Sequence, residues 1–337
     1  MASMEPPFDH RTRAELMPVI VRSDERPRSK WFFLDYIFYL LVAVALAGFG
    51  YYLYSFRDTI GLFWPYLLQG AVVTIELSII SMVLATIFGF IGAMGRLSQF
   101  TFGRTLQRLT IHYPALGRLG DSLMRYAAVR WFYEGLLDFA PLRWLATVYV
   151  EVVRGTPLLV QLLFWYYGIA LALSSMSIDP YNYAFQFMTL LQSNSLVPDN
   201  FDVFFYGAIG LSFNYGAYLT EVFRSGIQSV DKGQTEASLS LGLSARQVMR
   251  KIVLPQAFRI TIPPFTNNFI TLIQDTALLS VINVVELEQS ISSFAYPQTD
   301  GNIKLFIFVL GALFYLAICY PLALLARYLE SRMAIAY

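Results

Sequence analysis

Hydrophobic and polar positions in this chain fall in long blocks rather than short periods. An apolar run begins near Phe32, and residues 36–56 carry no charge. At 1.5 Å per residue that stretch is long enough to cross a bilayer. It is too long for a signal-peptide core and lacks a clear small-residue cleavage site, so a retained helix is expected. A second block covers about 66–94 with Glu76 as its only charge, and Gly89, Gly92 and Gly95 in its last turns predict close helix approach. A third is uncharged over 155–178, its helix starting upstream near Leu142 and bent by Pro157. A fourth spans about 203–224 and contains Glu221. A fifth covers about 260–285, broken only by Asp275, and a sixth covers 305–326. The pattern predicts six membrane-spanning helices.

Between the fourth and fifth blocks lies a polar segment, GQTEASLSLGLSARQVMRKIVLP, at 233–255. It reads as a short helix, a break at Gly242, a second amphipathic helix and a stop at Pro255. The 96–143 segment carries apolar residues at helical spacing beside arginines. A helix on the membrane surface and a small helical hairpin packed on a partner both fit it. The 179–202 segment, read as a loop, contains no lysine or arginine.

Charge distribution orients the blocks. With the amino terminus inside, six spans return the carboxyl terminus to the same side, and every Lys and Arg except Arg57 and Lys304 falls inside. That is the positive-inside rule in strong form, and it places 225–259 in the cytoplasm. Only 14% of the residues are charged, against about a quarter in soluble domains, and 56% are hydrophobic. The single cysteine, Cys319, and the distant His10 and His112 supply no metal-ligand cluster. Dispersed basic residues give no nucleic-acid footprint. No GxxxxGK[ST] loop, HExxH, CxxC or partnered nucleophile is present, so ATP hydrolysis, if used, belongs to another polypeptide.

Three stretches carry a family resemblance. In the polar segment, Glu236-Ala237-Ser238, then Gly242, then Ile252, Leu254 and Pro255 resemble the signature loop of bacterial ABC importer membrane subunits. EVVRGTPLLVQLLFWYYG (151–168) and LPQAFRITIPPFTNNFITLIQDTALLSVINVVEL (254–287) are similar to the polar amino acid (histidine/glutamine/glutamate) permeases. The likeness covers roughly 66–330. It implies an all-α integral membrane protein with a type I importer-like five-helix core and an extra amino-terminal helix. The expected divisions are a cytoplasmic segment 1–31, the extra helix 32–56 and the permease domain 66–330, with an insertion at 96–143 and a coupling loop at 225–259. It also implies ABC ATPase subunits that hold ATP and magnesium, a second permease chain (identical or sister), a periplasmic amino-acid-binding protein and the bacterial inner membrane. The chain itself binds no cofactor and is no enzyme on this reading. The alternative is a stand-alone ion-coupled secondary amino acid transporter.

The resemblance assigns the ATPase-docking role to Gly233, Gln234, Glu236, Ala237, Ser238, Gly242, Leu254 and Pro255. Small residues at 237 and 238 would let the helix sit closely in a partner's groove. Ionisable groups inside spans are functional candidates by their cost alone. For Glu76, a substrate pathway and helix–helix hydrogen bonding both fit. Glu221, three residues before Arg224, reads as half of an interfacial ion pair. Asp275 falls near the midplane beside Gln274, where the family commonly has lysine. With Asn214, Tyr215 and Tyr218 it forms a candidate site for a zwitterion. Arg154 reads as a boundary anchor, with Gly155 and Pro157 shaping the helix start.

Overall fold

The computed structural model describes residues 32–98, 100–101, 139–191 and 201–334. The 1–31 segment and most of the 96–143 insertion therefore lie outside the described residues. Contacts divide the chain into two units, 1–61 and 62–337. In the first, α1 (Phe32–Ser55) is a single helix, and none of its described side chains is buried. Leucine, valine and aromatic side chains project from all its faces, as a helix solvated by lipid requires.

The remaining helices are α2 (Arg57–Leu97), α3 (Pro141–Arg154), α4 (Leu158–Ser175), α5 (Pro180–Leu191), α6 (Phe201–Gln228), α7 (Lys232–Ser240), α8 (Ala245–Ile282), α9 (Leu287–Ala295) and α10 (Gly301–Ala334). Among the described residues, four helices are long and apolar enough to cross a membrane: α1, α2, α4 and α10. The pair α8 and α9, bent by 53°, qualifies together as a fifth. Helix α6 is 28 residues long but less apolar, because its faces are turned inward: sixteen of its residues are buried.

Helix α6 is the central post. It packs against α3, α4 and the Leu254–Asp275 stretch of α8, which in turn packs on α10. Leu77, Leu162, Leu211, Leu219, Leu272 and Leu279 fill the core around it. The glycines of α2 permit the approach expected of them. A Cβ at Gly89 would stand 2.6 Å from Leu219 Cβ, and one at Gly92 would strike Thr220.

Several boundaries differ from expectation. Pro157 does not bend one long helix; it separates two, with Gly155 ending α3 and Pro157 capping α4. Within α4 the chain widens into a π turn over Phe164–Ala170. The segment read as a loop at 179–202 contains α5, whose Pro180 sits at the first helical position, where a missing N–H costs nothing. Pro255 does not stop its helix. A π turn over Met249–Val253 closes with the Leu254 N–H donating to the Met249 carbonyl, and the helix then resumes through Pro255. The wider register absorbs the donor that proline lacks.

Candidate functional site

Two groups of candidate residues flank the Leu254–Asp275 stretch of α8, one at each end. The first is the loop from Asp231 to Pro255. The Asp231 carboxylate opens α7 by accepting the Gly233 N–H at 2.8 Å. The helix closes with Gly242 at φ +85°, while the Leu243 N–H returns to the Ser238 carbonyl at 3.2 Å. Only glycine takes that backbone without strain, so this position fixes the turn. A capping box then starts α8: Ser244 Oγ accepts from Gln247 N–H, and Gln247 Oε1 accepts from Ser244 N–H at 2.8 Å. Beneath the two helices Val230, Val248, Val253 and Ala257 form a small apolar core, joined by Ile227, Leu243 and Ile260. The loop thus holds its own shape. Gln234 is tied to Gln256 across it by a 2.7 Å hydrogen bond.

The outward residues differ in part from those expected. Glu236 and Ala237 are exposed, as docking residues must be, but Ser238 is buried and its hydroxyl donates to the Gln234 carbonyl at 2.6 Å. The small side chain at 238 serves packing within this chain, which corrects the expectation that it faces a partner. The side chains that do face outward beside Glu236 are leucines. Leu239 is 45% exposed and Leu241 is 84% exposed. Sequence reasoning passed over them because two leucines in an amphipathic loop read as core.

The second group lies 21 residues beyond Leu254. The Tyr215 hydroxyl of α6 donates to Asp275 Oδ2 at 2.6 Å. The Tyr218 ring lies 6.2 Å from that of Tyr215, and the Arg154 guanidinium stands over Tyr218 at 5.2 Å. Arg154, Tyr218, Tyr215 and Asp275 therefore form a continuous path of contacts from α3 through α6 to α8. Arg154, read as a boundary anchor, thus also touches this group.

Asn214 does not. It is buried, and its amide donates at 3.0 Å to Gln161 Oε1. Gln161 Nε2 in turn donates to the carbonyls of Val153 and Thr156 at 2.7 and 3.1 Å. Asn214 is thus a tether that joins the Arg154–Pro157 corner to α6. Gln274 is exposed, one helical step around from the half-buried Asp275. Glu76 is half-buried, with no hydrogen bond or ion pair to another of the described residues.

Two acidic centres complete the picture. Glu221 receives Arg224 at 2.7 Å and also pairs with Arg96 of α2, which approaches Glu151 of α3 at 3.9 Å. The four residues pin the ends of α2, α3 and α6 together. Glu286, absent from the candidates, is fully buried. Its carboxylate caps α9 by accepting the N–H groups of Glu288 and Gln289, each at 2.8 Å, and accepts the Tyr315 hydroxyl of α10 at 3.0 Å. Thr74 of α2 completes the contact by accepting the Leu287 N–H at 3.1 Å. The available signal was an acid directly after an apolar run with Gln289 three residues on. Glutamate is not a favoured capping residue, which hid it.

The comparisons agree on one family. Residues 135–335 match the family model for the binding-protein-dependent transport system inner membrane component. The L-cystine transport system permease protein TcyB of Bacillus subtilis (strain 168) is 32% identical over 271 residues, covering 80% of this chain and 88% of that protein. The glutamine transport system permease protein GlnP of Escherichia coli (strain K12) is 35% identical over 191 residues, covering 56% and 75%. A crystal structure of an amino acid ABC transporter with histidines aligns at TM-score 0.57 and 24% identity, over 81% of this chain and 97% of that one, and is similar in fold.

Proposed function

Because this chain belongs to the family of binding-protein-dependent transport system inner membrane components, we propose that it is the membrane-spanning subunit of an ATP-driven importer of polar amino acids. In such an assembly ATP and magnesium sit on separate ATPase subunits, a second permease chain completes the pathway, and a periplasmic binding protein delivers the cargo. The proposed core comprises five spans: α2, the α3–α4 pair, α6, the α8–α9 pair and α10. Helix α1 is the extra span, and both termini are cytoplasmic. The charge asymmetry supports that orientation, and the relatives named for L-cystine and glutamine support the substrate class.

The observation that carries the mechanism is the continuity of α8. The loop that would meet an ATPase runs, past the Gly242 turn, directly into the helix that carries Asp275 to its contact with Tyr215. The loop and that contact are separated by the Leu254–Asp275 stretch, 22 residues long and so about 33 Å. The loop has its own apolar core, so a push on Glu236, Leu239 and Leu241 moves it as a body. Helix α8 then carries that displacement to Asp275, shifting its carboxylate against Tyr215. Tyr215 holds Asp275 Oδ2, leaving Oδ1 to receive an ammonium group. Tyr218 and Arg154 line the way beyond.

Purification from native membranes in mild detergent, with identification of the co-purifying chains, tests the assembly. An ATPase with a second permease supports a heteromeric importer, and an ATPase alone supports a homodimer. Recovery of this chain alone in several detergents overturns the importer reading and favours an ion-coupled transporter. In the reconstituted system, Asp275→Asn is expected to lower uptake by about tenfold or more while leaving ATPase attachment intact. Tyr215→Phe should give a smaller loss. Uptake unchanged in Asp275→Asn would remove that residue from the pathway.

A further inference from the structure

A separate cavity of about 260 Å³ opens where α4, α5 and α6 meet. Tyr166 and Tyr167 reach it from the π turn of α4, Tyr181 from the first turn of α5 and Tyr206 from the second turn of α6. Their rings form a linked wall: Tyr166 lies 4.9 Å from Tyr167 and 6.5 Å from Tyr206, and Tyr206 lies 6.5 Å from Tyr181. Tyr206 is buried behind the others. Asp179 and Asp202 stand in the same lining.

The charge here is uncompensated. No lysine or arginine occurs anywhere in 155–223, and neither aspartate forms an ion pair among the described residues. Each precedes or opens a helix, and a helix amino terminus offsets about half an elementary charge. Two carboxylates against two such termini leave about one net negative charge in the cavity. The Asp179 carboxylate, moreover, accepts no backbone N–H among the described residues, the Asn182 N–H going to the Asp179 carbonyl instead. The widened π turn sets the two adjacent tyrosines into the wall, and such turns concentrate at functional sites.

The geometry points to this cavity as a binding cup for an organic cation, the ammonium or guanidinium end of a side chain, held by tyrosine faces and the carboxylates of Asp179 and Asp202. Aromatic faces attract cations through the ring quadrupole, and a nearby carboxylate adds charge. The volume lies below the roughly 300 Å³ at which whole small-molecule sites begin, which suits the end of a side chain rather than an entire ligand. The cup is distinct from the Tyr215–Asp275 group. Its exposure on the outer face rests on the orientation proposed above. The cation can come from a basic amino acid cargo or from a lysine or arginine of the delivering protein.

Saturation-transfer NMR on the full chain in nanodiscs, with butylammonium chloride as probe and butanol as its neutral counterpart, tests the cup. Butylammonium is expected to bind saturably, and the double variant Asp179→Asn, Asp202→Asn to weaken it about tenfold without altering any response to butanol. Tyr167→Ala, at an exposed position, gives a second variant that should also weaken binding while leaving thermal unfolding unchanged. Equal affinity in wild type and both variants, or no binding to wild type, overturns the proposal. Displacement of butylammonium by L-lysine identifies cargo as the source. Displacement by the binding protein but not by L-lysine identifies that protein's side chain, and displacement by neither overturns a role in transport. None of these readings requires an ATPase, so failure of the cup and failure of the importer reading are seen separately.

Discussion

The two ends of α8 are built on opposite principles. At the loop end, the polar and apolar groups that define the site face outward, and a small core of valines and alanine holds them up. At the far end the helix tightens into a 3₁₀ tail over Thr276–Ile282, turns at Asn283 with φ 64°, and delivers Glu286 into the interior. There three helices, α2, α9 and α10, are tied to one carboxylate or its neighbouring backbone. One end presents its side chains outward and the other is held from within. If a partner pushes on the loop, as proposed, this asymmetry is what a lever needs: a push on a helix does work only if some other part of the helix is anchored.

That contrast breaks most visibly at the anchored end. Glu286→Ala would orphan the N–H groups of Glu288 and Gln289 and the Tyr315 hydroxyl at once. Each buried orphan costs about 1–3 kcal/mol, so a loss of roughly 3 kcal/mol or more is expected. Thermal unfolding in detergent would show it, and Glu286→Gln, which keeps one acceptor oxygen, should fall between. The next largest effect belongs to Gly70→Ala in α2. An added Cβ would lie 2.9 Å from Leu287 Cα and 3.0 Å from the Glu286 carbonyl oxygen, which are backbone atoms with little room to yield. Overpacking of this kind costs about 1–3 kcal/mol. A neutral result in the same unfolding measurement would mean that the anchor is looser than drawn.

The loop end was legible in the sequence and the anchored end was not, for a physical reason. Gly242, the Ser244–Gln247 capping box and the spacing of Val248 and Val253 are local features, each fixed by residues within a few positions. The partners of Glu286 are local only on one side; Thr74 and Tyr315 lie far away in the chain, and no periodicity joins them. The same holds for the pathway. Asp275 was marked by its cost in an apolar run, and its pairing with Tyr215 followed once α6 was placed beside α8. Asn214, grouped with Tyr215 and Tyr218 as a polar residue within a span, instead donates to Gln161, because neighbours on a helix face different sides. Pro157 was read as a bend and Pro255 as a stop. The first separates two helices and the second stops none, because a π turn precedes Pro255 and register cannot be read from composition.

Smaller effects belong to the loop. Gly242→Ala forces a side chain into the left-handed region and should cost about 1 kcal/mol. Because the loop has its own core, the loss should appear as faster hydrogen exchange within 231–255 and hardly at all in global unfolding.

Glu236→Arg should disturb the fold least of all. Glu236 is exposed on α7, and its carboxylate makes no ion pair among the described residues. Reversing its charge removes nothing that this chain uses for itself, and stability should stay within about 0.5 kcal/mol of wild type. Any consequence must then come from whatever meets the loop from outside. If that is an ATPase, its hydrolysis should continue while uptake driven by it falls away, measured together in proteoliposomes holding the complete assembly. Unchanged uptake in a stably folded Glu236→Arg variant would show that the exposed face of α7 is not the grip, and that the lever is moved from somewhere else along α8.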